Sequence, residues 1–200
     1  MKTLPASLPV SRWVLIVSLV VITISYRVIA AQFPVLSNTS PLMAIAFGGA
    51  MLLGRKAWFL PLCLLVLSDL VLGWIGGTGW GAYTIMSALV YLGVGWVAHQ
   101  CSGSNHPRIT LLAGTLASGI AFYLIANTFS WALEPAYART LAGWWQSQTT
   151  GLPQFSPPAW FFLRQSLLAD TVWCLAASLL FFRSAEQAES RFATESIEGR

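Results

Sequence analysis

Four ionisable residues stand inside apolar stretches of this 200-residue chain: Arg27, Asp69, Arg164 and Asp170. Such a group is costly within an apolar helix, and it usually faces a bundle interior or a polar cavity. Two guanidiniums and two carboxylates allow two kinds of chemistry. Paired as Arg27–Asp69 and Arg164–Asp170, they fix helices against one another and do nothing else. Facing a cavity, the arginines neutralise a ligand carboxylate or phosphate, while Asp69, Tyr83 and Asn127 orient polar edges. The cavity is favoured because Asn38, Trp74, Trp80, Tyr83, Asn127 and Trp131 gather at the same level of the apolar segments. Reactive chemistry has little to work with. There is no GxxxxGK[ST] phosphate loop, no HExxH, no GxSxG and no Cys/His pair at catalytic spacing, so a non-enzyme without cofactor or metal is expected. Cys63, Cys101 and Cys174 lack CxxC spacing and read as small packing residues.

The elements that position these residues are legible from composition. Hydrophobic residues make up 56% of the chain and charged ones 9%, against about 25% charged in soluble domains. Apolar segments recur along almost the whole length without the polar faces a soluble helical protein needs. The reading is all-α: a polytopic six-transmembrane-helix bundle over 1–182. Helices are predicted at about 12–31, 41–54, 57–74, 82–99, 109–128 and 157–182. A charged cytoplasmic tail, 183–200, ends in Ile197-Glu198-Gly199-Arg200, a protease-cleavage linker sequence set aside from functional argument. The first apolar run reads as a retained helix rather than a signal peptide, because further spans follow it. Helix two is short for a span, and Ala46, Ala50 and Gly54 give it a small-residue stripe for close packing. Helix five carries two more, Gly114/Ser118 and Ala113/Ala117/Ala121.

Charge sets the orientation. The formal net charge is +4, but the cations lie in short connecting segments as topology signals, which argues against a nucleic-acid partner. With the amino terminus inside, Lys2, Arg12, Arg55, Lys56, Arg108 and Arg183 are cytoplasmic, and Arg139 is the sole outer loop cation. Both termini are therefore expected in the cytoplasm, with the bilayer of a bacterial inner membrane as the first partner. This places 32–40, 75–81 and 129–156 together on the outer face. The first of these joins helices one and two. The second holds Gly76, Gly77, Gly79 and Gly81, and the third is too polar to span; both are expected to act as lids. Trp13, Trp58, Trp96 and Trp160 fit an interfacial aromatic belt, whereas Trp80 and Trp131 flank the mouth and are placed to stack on a planar ligand.

The stretch Phe33-Pro34-x3-Ser37-Asn38-x-Ser40-Pro41-x2-Ala44-x2-Phe47-Gly48-Gly49-Ala50, with Ser68-Asp69 further on, is similar to uncharacterised bacterial membrane proteins of an S-component-like kind. Six helices in about 200 residues, with a mouth built from the first, third and fifth loops, resembles the substrate-binding (S) component of energy-coupling factor (ECF) transporters. That resemblance implies capture of a vitamin-like solute from outside, followed by association with a coupling subunit and two ATPases. Many members dock through an AxxxA motif in the first helix. Here that helix has none and the small stripe lies in helix two, a departure compatible with a solitary protein. For solitary members the resemblance admits cobalamin, and the tryptophan-rich mouth suits a large ring. The alternative is a structural or assembly subunit of a membrane complex, which an apolar mouth with no void would favour.

Overall fold

The computed structural model describes residues 12–33, 36, 38–52, 59–75 and 81–198; within its helices, the side chains of 12–16, 19, 52, 60 and 180–198 lie outside the description. The described chain is all-α. Seven helices follow one another: α1 Arg12–Gln32, α2 Leu42–Leu52, α3 Leu60–Trp74, α4 Ala82–Gln100, α5 Pro107–Leu133, α6 Leu141–Gln148 and α7 Ala159–Glu198.

Helix α2 is the centre. Its sequence, LMAIAFGGAML, is apolar all round, the pattern of a helix with no solvent face. Leu42, Met43, Ala46, Phe47, Ala50 and Met51 are all buried, and α2 packs against α3, α4, α5 and α7. The expected stripe is real at Ala46 and Ala50, both 0% exposed; Gly54 lies outside the described residues. At about 1.5 Å per residue, eleven residues rise roughly 16 Å, half of a bilayer's hydrocarbon thickness. On α5 only one of the two stripes packs inward. A Cβ added at Gly114 would collide with the Phe47 ring, and Ser118 is buried, whereas Ala113, Ala117 and Ala121 face outward.

Three elements depart clearly from the expectation. Helix α5 starts earlier, with Pro107 in its first turn where a missing N–H costs nothing, and it continues to Leu133 before Glu134-Pro135 stops it. The polar segment 129–156 contains an unforeseen helix, α6, capped by Thr140 Oγ1, which accepts from Gly143 N–H at 3.1 Å. Helix α7 runs on to Glu198 instead of ending at 182. Its last fifteen residues hold Ala, Glu, Gln and Arg with no Gly or Pro, and such residues prolong a helix.

Helices α4 and α5 are long and apolar enough to cross a membrane, and only 28% and 22% of their apolar windows are buried. Ile85, Leu89, Trp96, Ile109 and Leu124 project from them into the surroundings, an apolar surface that water disfavours.

Candidate functional site

At the end of the bundle formed by the carboxyl ends of α1 and α5 and the amino ends of α2, α4 and α7, the helices leave a cavity of about 310 Å³. Five of the ten residues singled out from sequence line it: Arg27, Asn38, Tyr83, Asn127 and Asp170. Arg27 comes from α1 and Asn38 from the α1–α2 connection, while Tyr83, Asn127 and Asp170 come from helices whose lining residues recur at four-residue spacing, the period that returns a side chain to the same face. On α4 the stripe is Tyr83, Ser87 and Tyr91; on α7 it is Phe162, Ser166 and Asp170; on α5 the cavity meets Gly119, Phe122, Tyr123, Ala126 and Asn127.

Arg27 is held in place rather than free. Its Nη2 lies 2.8 Å from Asp69 Oδ1 and its Nη1 donates to Ser68 Oγ, while Ser68 Oγ donates to Leu65 O at 2.9 Å. Two adjacent residues of α3 thus grip the guanidinium fork and join α1 to α3, one of the two ion pairs that stood as the alternative to a ligand-facing arrangement. The other pair does not form. Arg164 and Asp170 are six residues apart, about 240° around the helix, so they point in different directions. Arg164 is exposed and stacks over Trp160 and Phe161, at 5.7 and 5.2 Å from the ring centroids. Asp170 is buried, 3% exposed, and among the described residues no cation lies within ion-pair distance of it.

The carboxylate has room because residue 119 is glycine. A Cβ there would stand 2.8 Å from Asp170 Oδ2, inside van der Waals contact, so a larger residue would require the carboxylate end to shift. Across the cavity, Asn127 Nδ2 donates to Tyr123 O at 2.9 Å, and Ser166 Oγ donates to Leu163 O at 2.9 Å.

The rim is organised by a second network. Tyr26 Oη and Thr39 Oγ1 share a hydrogen bond of 2.8 Å. Trp173 Nε1 donates to Thr39 O at 3.1 Å and its ring meets Tyr26 edge-on at 5.6 Å. This ties the α1–α2 connection to α7 and holds Asn38 with φ 59°, a left-handed conformation that Asn tolerates better than most residues. On the opposite side, α6 rests on α5: Trp144 Nε1 donates to Thr128 Oγ1 at 2.9 Å, Gln148 Nε2 donates to the same oxygen at 3.2 Å, and Tyr123 Oη donates to Gln148 O. Tyr137 is buried in this layer. Burial pushes its phenol above the ordinary value, and the nearness of Tyr83 and Glu134 adds to the rise.

The remaining expected site residues are elsewhere. Asp69 stands behind Arg27 and does not line the cavity. Trp74 is 92% exposed. Trp131 donates to Ala138 O at 2.9 Å and lies under Arg139, away from the lining. No residue of 129–156 lines the cavity, so that segment flanks the mouth on the α5 side instead of folding over it. Trp80, with Gly76, Gly77 and Gly79 of the expected lid, lies outside the described residues. Sequence reasoning missed Ser166 and Tyr91, although their four-residue stripes were present to be read, and it missed Phe122 and Gly119. Among the described residues no group of three His, Cys, Asp or Glu side chains could hold a metal ion, and the three cysteines are free thiols.

Residues 8–194 match a family of unknown function (DUF6580), and the chain belongs to that family. No curated protein and no solved structure matches the chain.

Proposed function

We propose that this family member is a polytopic inner-membrane protein that captures a small solute from the outer face, in the cavity ringed by α1, α2, α4, α5 and α7. The observation that carries the reading is the cavity itself: a partly open space of about 310 Å³ on which polar side chains from otherwise apolar helices converge. Solute sites combine mostly apolar walls with a few placed polar groups, and about 300 Å³ is the lower end of their usual size. A scaffold has no need of such a void. At roughly 30 Å³ per water-sized volume, the space suits a solute of about ten non-hydrogen atoms. That size favours a small molecule over cobalamin, whose corrin ring would require the helices to separate.

Membrane residence is supported by the length and lipid-like faces of α4 and α5. In the full proposal six segments cross or enter the bilayer, with α2 as a short inner helix sheltered by its neighbours and both termini cytoplasmic. The cation distribution supports this orientation, since Arg139 alone would stand in an outer loop. The likeness to S components extends the proposal: release inward would use either an ATP-driven coupling module or, lacking an AxxxA stripe on α1, a route of its own.

Native mass spectrometry of protein purified in mild detergent tests the capture step. Wild-type protein should carry an adduct of small-molecule mass that Ser166→Trp, whose indole fills the cavity, does not. An adduct of equal occupancy in both proteins, or none in either, would count against capture at this place.

A further inference from the structure

The ionisable groups at the walls of this cavity are unequally partnered. Arg27 contributes a cation, but Asp69 at 2.8 Å and Ser68 already take both faces of its guanidinium. Arg164, expected to be the second cation, is on the exposed side of α7. Asp170 thus remains as a carboxyl group that lines the cavity, is 3% exposed and has no described cation beside it. A buried charge without a partner is costly, and the cost is relieved when a partner of opposite sign arrives. Gly119 keeps that position open, because any larger residue would press on Oδ2.

The rest of the lining says what kind of cation fits. Tyr83, Tyr91, Phe122 and Phe162 supply aromatic rings, and Met43 and Met86 supply thioethers. Aromatic faces attract organic cations, above all when water is excluded. Calcium and magnesium need six or more oxygen ligands, and the described residues hold no cluster of acidic or His/Cys side chains that could begin such a shell. An anionic solute would meet Arg27, the cation of the described lining, already engaged by Asp69 and Ser68.

We propose that the solute taken by this cavity is an organic ammonium ion whose charge is received by the Asp170 carboxylate and whose carbon skeleton lies among the aromatic rings. This rests on the reading of the cavity as a solute site, and it replaces the expected carboxylate or phosphate ligand by one of opposite charge.

Three probes of one shape separate charge from fit: cyclohexylmethylammonium, cyclohexylmethanol and cyclohexanecarboxylate, each titrated at neutral pH into the purified full chain by isothermal calorimetry. The ammonium should bind at least about tenfold more tightly than the carboxylate, as expected for one charge-assisted hydrogen bond. Asp170→Asn should abolish that preference while leaving binding of the alcohol unchanged. The wild-type ranking is informative even if the variant fails to fold. Equal or tighter binding of the carboxylate, or a preference that survives in Asp170→Asn, overturns the assignment. Should the alcohol and carboxylate bind in competition, with binding lost in Ser166→Trp and no advantage for the ammonium, the solute site stands and its charge preference falls. Should none of the three bind, both fall together.

Discussion

The Arg27–Asp69 clamp positions the cation of the cavity wall, and its strength can be worked from the geometry. At 2.8 Å and an effective dielectric constant of about 20, the attraction is about 6 kcal/mol before desolvation is subtracted. The side chains are 20% and 11% exposed, so water screens the pair only in part. Removing one partner from a buried pair costs about 3–5 kcal/mol, because the other charge is left without compensation. Partial exposure puts Arg27→Met and Asp69→Leu at the lower end, about 3 kcal/mol each. In a chain of this length that corresponds to a fall of roughly 6–12 °C in the thermal midpoint. The double variant replaces both charges by apolar groups of similar size and should recover to within about 1 kcal/mol of wild type. The assay is thermal unfolding of all four proteins in one detergent, followed by intrinsic tryptophan fluorescence. If the two losses simply add in the double variant, the clamp does not couple α1 to α3 and Arg27 is not neutralised by Asp69.

Three further outcomes follow from the same contacts. Gly119→Ala should weaken binding of cyclohexylmethylammonium about tenfold and destabilise the protein by about 1–3 kcal/mol, since its Cβ would press on Asp170 Oδ2; calorimetry and thermal unfolding read the two effects. Gly114→Ala should cost a similar amount through collision with Phe47, and Phe47→Leu in the same chain should restore part of it, which a comparison of the three midpoints checks. Arg164→Ala and Trp131→Phe, which alter side chains outside the cavity, should leave probe affinity within about twofold of wild type; a larger loss in either would bring that residue into the site.

The all-α character was legible because apolar helices announce themselves by length, and the starts of α1 and α4 and the burial of Ala46 and Ala50 follow directly from the sequence. The helix ends were harder. Thr140 as a cap, Glu134-Pro135 as a stop and a tail without Gly or Pro are local signals, but an apolar window passes over them. In the site, charge proved a partial guide. Arg27 and Asp170 were legible because an ionisable group among apolar residues needs a reason. Arg164 satisfied the same criterion, yet its angle on α7 turns it away from Asp170, and the spacing of six residues already contained that answer. Trp74 and Trp131 misled because exposed and cavity-lining aromatics look alike without a helix face to place them on. The stripe Tyr83, Ser87 and Tyr91 was hidden by its mild polarity, although its spacing matches Phe162, Ser166 and Asp170. Gly119 could not be read at all, since its role depends on which side chain a different helix brings against it.

The central claim is that a solute reaches this cavity from the outer face of the membrane. Ser166→Cys, in a chain whose Cys63, Cys101 and Cys174 are replaced by alanine, puts one thiol on the cavity wall. A charged, membrane-impermeant thiol reagent added to intact cells should modify it, and cyclohexylmethylammonium should slow the modification. Labelling only from the cytoplasmic side of inverted vesicles, or at a rate the ammonium does not change, would contradict the claim.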